Sequence, residues 1–138
     1  MKPRIPLLAF AVSLLAVVAG AAQSAPSDVN PLPPGANWDT LYQVFYRHRF
    51  ADDGAVAEAF SDFVVHRLAT RWSTLPSLAR LAANDSAFSA FIIRHIDATA
   101  DLDELRVLVR RTSNCPARVR SLCSSIHAAA REAVDQPK

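Results

Sequence analysis

Residues 54–72 read GAVAEAFSDFVVHRLATRW, and their spacing decides the fold. Val56, Phe60, Phe63, Val64 and Leu68 recur at three- and four-residue intervals, which puts them on one face of an α-helix and on no single face of a strand, whose period is two. The same interval continues in both directions. Upstream, Trp38, Leu41, Val44 and Phe45 mark a helix from about Asn37 to Arg49, and Asp52, Asp53 and Gly54 separate it from the second, which runs to about Trp72. Downstream, Pro76 opens a short third helix ending near Ala83, and Asp85 caps a fourth with Phe88, Phe91, Ile92 and Ile96 inward. Asp101 and Glu104 have the spacing of a capping box and open a fifth helix carrying Leu102, Leu105, Leu108 and Val109. A last helix carries Val119, Leu122, Cys123, Ile126, Ala129, Ala130 and Ala133. No period-2 run is long enough for a sheet and no internal repeat is visible, so the spacing predicts an all-α fold, a compact bundle of about five to six short amphipathic helices.

The flanks divide the chain. Lys2 and Arg4 precede an apolar run from Ile5 to Gly20 and then small residues through Ala25, the order of a secretory signal peptide, expected over residues 1–22 with cleavage after Ala21, Ala22 or Ser24. An uncleaved N-terminal membrane anchor is the alternative, because the run approaches the shortest spanning helix. Residues 23–36, with Pro26, Pro31, Pro33, Pro34 and Gly35, read as a proline-rich linker, residues 37–134 as the helical domain and residues 135–138 as a tail. The expected location is the periplasm or the exterior, with a mature domain that does not span the membrane.

Lys2 and Arg4 account for two of the 15 basic residues, so the exported part balances 13 bases against 13 acids. Such a domain has no global field to gather nucleic acid, and no nucleic-acid partner is expected. Cys115 and Cys123 are the only cysteines, and export favours a disulfide between them. A helix running straight from Pro116 would hold their Cα atoms about 12 Å apart, beyond the roughly 7 Å a disulfide tolerates. Either the last helix starts later, near Arg118, with Cys115 folded back over its first turns, or the two cysteines do not pair with each other.

Three side-chain groupings bear on function. Glu58, Asp62 and His66 stand at successive i, i+4 positions of the second helix and are weak candidates for a metal or a histidine base, without further ligands announced elsewhere. Arg67 and Arg71 fall within the arc of Val56, Phe60, Phe63 and Val64, so they must surface at the core's edge or meet carboxylates, of which Asp97, Asp101 and Asp103 are candidates. Alternatively they form a bidentate site for an acidic group. Arg106, Arg110, Arg111, Arg118 and Arg120 crowd a stretch with no acid, opposite an acidic first half holding Asp52, Asp53, Glu58 and Asp62. His48 and His95 each end an apolar stripe, the position of a core-edge histidine. No phosphate loop, nucleophile elbow or paired cysteine motif is present, and no catalytic residue or cofactor is expected.

These features favour a small exported non-enzymatic protein-interaction domain, binding another envelope or secreted protein through its arginines. One form would be an inhibitor or immunity-type partner of an envelope-directed enzyme or toxin, and pairing of the acidic and basic halves of two copies would permit self-association. Two rivals stand beside it. One is a carrier of apolar, fatty-acid-like ligands with Phe60, Phe63, Phe88 and Phe91 around a cavity and Arg67 or Arg71 on a carboxylate headgroup; the other is a small metal-dependent hydrolase using Glu58, Asp62 and His66.

Overall fold

The computed structural model describes residues 30–49 and 51–136, so the expected signal peptide and residues 23–29 of the linker lie outside the described residues. Six α-helices follow one another: α1 (Trp38–His48), α2 (Gly54–Thr70), α3 (Leu75–Asn84), α4 (Ser86–Arg94), α5 (Leu102–Thr112) and α6 (Arg120–Asp135). Short 3-10 turns at Trp72–Thr74 and Ala117–Val119 precede α3 and α6, and no strand occurs among the described residues. The all-α bundle expected from the spacing is the fold.

Most helix starts have a local cause. Asn37 accepts a hydrogen bond from the Thr40 amide, Asp85 from Phe88 and Asp101 from Glu104, each supplying an oxygen to an amide that the first turn leaves without a partner. Gly54 enters α2 at φ 49°, the left-handed region that costs a residue with a Cβ about 1–2 kcal/mol. Pro76 sits in the first turn of α3, where its missing N–H is no loss. Only one arm of the capping box forms at α5, because α5 packs against α2 and the Glu104 carboxylate meets His66 Nδ1 at 2.6 Å instead of turning back. The fourth helix is shorter than its apolar stripe: α4 stops at Arg94, and His95, Ile96 and Ala100 are buried in turns. There Asp97 accepts from the Thr99 amide at 2.8 Å and from the Thr99 hydroxyl, offering the backbone an alternative to the helix.

The core is one cluster with contributions from every helix. At its centre Phe91 lies 4.9 Å from Phe45, 5.1 Å from Phe60 and 4.4 Å from His95, ring centre to ring centre. α2 buries Phe60, Ser61, Val64, Val65, Leu68 and Ala69, an arc rotated away from the expected one. The cause is α5, which covers the Val65 and Ala69 side. Phe63 consequently rides at the edge, half-buried and edge-on to Trp38 at 5.9 Å. Residues 30–36 of the proline-rich stretch also lie on the domain, with Leu32 and Ala36 buried in the core cluster.

α5 and α6 are antiparallel, since Thr112 meets His127 and Cys115 meets Cys123. The 3-10 turn delays α6 to Arg120 and brings the two cysteine Cα atoms to 6.3 Å, so the disulfide forms with Cys115 folded back as its geometry demanded. Replacing both cysteines by serine is expected to lower stability by about 2.5 kcal/mol, the loop-closure value for so short a loop. Chemical denaturation of the variant against the native protein checks this, and equal midpoints would show that the bridge adds no stability.

Candidate functional site

Three pieces of chain enclose a groove of about 1060 Å³. The strap 30–36 forms one wall. α1 contributes Thr40, Gln43, Val44 and Arg47, which the helical period puts on one side, and α2 contributes Phe63, His66, Arg67, Thr70 and Arg71 by the same rule. Arg47, Arg67, Arg71 and His66 therefore face one space, and among the described residues no carboxylate lines it.

Arg67 is built in more firmly than the others. Its Nη1 donates to the Ala36 carbonyl at 3.0 Å, tying the strap to α2. Its guanidinium carbon sits 5.7 Å from the centre of the Trp38 ring and 5.9 Å from that of Phe63, a cation beside two aromatic rings. Its Nε is buried without a hydrogen-bond partner among the described residues. Burial, and secondarily the charge of Arg71, pulls the Arg67 pKa below the ordinary arginine range. Both causes mark a cation that an anion would stabilise. A second relay sets the position of Arg71: the Trp38 indole donates to the Thr74 hydroxyl at 2.8 Å, and that hydroxyl donates to the Arg71 carbonyl at 2.7 Å. The Arg71 side chain is exposed, as is that of Arg47.

The carboxylates expected as partners of Arg67 and Arg71 are occupied elsewhere. Asp97 binds Thr99 and Ser61, Asp101 caps α5, and Asp103 pairs with Arg106 at 3.0 Å on the solvent side. Of the arginines in the later cluster, Arg111 donates through Nε to the Ala69 carbonyl at 3.1 Å, close in sequence to the Arg71 end of the groove. Arg67, Arg71 and Arg111 thus gather at the C-terminal end of α2, where the helix dipole favours positive charge. Arg110, Arg118 and Arg120 are exposed on α5, on the turn before α6 and at the start of α6.

Glu58, Asp62 and His66 line a second, shallower groove of about 490 Å³ along the N-terminal half of α2. His66 is engaged by Glu104, and no three His, Cys, Asp or Glu side chains converge as a metal site among the described residues. Burial first, then the charges of Glu104 and Glu58, raise the Asp62 pKa above the ordinary carboxylate value.

One polar cluster lies inside the core. His95 Nε2 meets the Asp52 carboxylate at 3.0 Å, Arg94 pairs with the same carboxylate, and Ser61 Oγ lies 3.0 Å from His95 Nδ1 and 2.8 Å from Asp97 Oδ2. The composition is that of a hydrolytic triad, but Ser61 is 1% exposed and His95 2%, and neither lines a groove. Its contacts pair most of the buried polar atoms, with Asp52 Oδ1 left without a hydrogen-bond partner among the described residues. His48, the other histidine ending a stripe, is half-buried at the end of α1. Phe60, Phe88 and Phe91 are buried ring against ring, while Phe63 lines both grooves.

Sequence reading found Arg67 and Arg71 but not Arg47, the strap or the buried cluster. Arg47 had a signal in its place three residues beyond Val44, at the edge of the α1 stripe. The side-chain partners of Ser61 stand 34 and 36 residues away, and nothing local announces them. Fold and groove together define a small, disulfide-tied helical domain with a cationic cleft. Comparison with protein-family models, with curated proteins and with solved structures finds no match to the chain.

Proposed function

We propose that the protein is an exported, non-enzymatic interaction domain that holds an acidic segment of a partner protein in the groove between the strap, α1 and α2. The observation that carries this reading is the lining: three arginines and a histidine around one space, with no carboxylate among the described residues that line it. Planar guanidinium groups bind carboxylates through paired hydrogen bonds, and Arg67 has a buried donor without a partner among the described residues. Export is consistent with the disulfide, a bond that oxidising compartments sustain, and no described helix is long and apolar enough to cross a membrane. An inhibitor or immunity-type role fits such a domain, since these partners act by occupying an acidic surface rather than by chemistry.

The test is binding of a labelled glutamate-rich peptide to the native protein and to Arg47→Glu/Arg71→Glu. Both side chains are exposed and neither bonds another described residue, so the substitutions remove no contact of the fold, and circular dichroism checks that the helices are kept. Native binding is expected to weaken with salt, and the double reversal to weaken it by at least tenfold, a change of about 1.4 kcal/mol. Equal binding by both proteins would remove the groove from the function.

A further inference from the structure

The two grooves are neighbours. Asn30, Phe63 and His66 line both, so the arginine-lined space and the Glu58–Asp62 space share a rim on the outward face of α2. Their charges are opposite. Arg47, Arg67 and Arg71 stand at one end, and Glu58 and Asp62 at the other. Among the described residues nothing hydrogen-bonds or ion-pairs with the side chains of Arg47, Arg71, Glu58 or Asp62, so no described residue neutralises either end. Phe63 lies between the ends as a half-buried apolar floor.

We propose that this cleft is a single site for an extended peptide of bipolar sequence, acidic side chains at the arginine end, an apolar side chain over Phe63 and a lysine or arginine at the Glu58–Asp62 end. The proposal rests on the groove being a partner site, as argued above, and names the chemistry of what fills it. From Glu58 to Arg71 along α2 is about 20 Å at the helical rise, which an extended chain covers in about six residues. A uniformly acidic segment would set its far end against Glu58 and Asp62, where like charges repel. A bipolar one matches both ends.

The test is selection from a hexapeptide library randomised among glutamate, leucine, lysine and serine, with the native protein and Glu58→Lys/Asp62→Lys as baits, followed by affinity measurement on the selected peptides. The native protein is expected to select peptides acidic at one end and lysine-bearing at the other. Removing the lysine is expected to weaken binding by about tenfold. The double-lysine variant is expected to select acidic residues throughout. Selection of uniformly acidic peptides by both baits would overturn the bipolar site and leave the arginine groove standing. Selection of no charged peptide by either bait would overturn both.

Discussion

Phe91→Ala is expected to lower the stability of the domain by about 3–5 kcal/mol, the cost of removing a fully buried aromatic side chain whose neighbours cannot close the space. Phe91 touches rings from α1, α2 and α4 at once, through Phe45, Phe60 and Phe88, and the turn after α4 adds His95. Those rings are held by three different helices, so none can move into the vacancy without withdrawing from its own contacts. For a domain of ordinary stability, about 5–15 kcal/mol, this loss is at least about a fifth of the total. Phe63→Ala is the matched comparison: the same atoms leave a half-exposed groove floor, and the expected cost is about 1 kcal/mol. Urea denaturation of both variants measures the difference, and similar losses at the two positions would contradict the assignment of Phe91 as the centre of the core.

His95→Leu is expected to cost about 3 kcal/mol and to change how stability responds to acid. Leucine fills much of the ring's volume but leaves the Asp52 carboxylate, whose side chain is 5% exposed, with Arg94 alone, and takes the ring nitrogen away from Ser61 Oγ. Burial lowers the His95 pKa below its ordinary 6.5, against the opposing pull of Asp52. As pH falls through that value the unfolded chain binds a proton and the folded chain does not. Stability is therefore complete above the ordinary value and declines below it, until the folded ring itself titrates, by at most about 1.4 kcal/mol per pH unit. Asp97 acts lower on the scale. Burial raises its pKa, but hydrogen bonds from Thr99 and Ser61 outweigh burial and hold the carboxyl below 3.8, so its contribution disappears only in stronger acid. Denaturation midpoints between about pH 7.5 and about pH 5.5 should fall for the native protein and stay flatter for His95→Leu. A native midpoint that rises on acidification would show that the folded ring binds its proton more tightly than the unfolded one.

Local sequence determined the helices and most of their caps. Apolar spacing is a property of a few consecutive turns, and Asn37, Asp85 and Asp101 each bond an amide three residues on, so both are legible without knowing the rest of the molecule. The cysteine pair belongs with them only in part: the spacing set the condition for a bridge, a late start of the last helix, and the 3-10 turn at Ala117–Val119 met it. The destination of the charged side chains depended on packing. α5 rotated the buried arc of α2 toward Val65 and Ala69, and that rotation moved Phe63, Arg67 and Arg71 out of the core and onto a groove. The strap then supplied the Ala36 carbonyl that holds Arg67 in place of the carboxylates of the α4–α5 turns and α5. Ser61 and His95 likewise acquired their roles only when turns distant along the chain met inside the core. A periodicity fixes which residues share a face; which face meets which neighbour is a global packing outcome, and the chemistry of the cleft follows from that outcome.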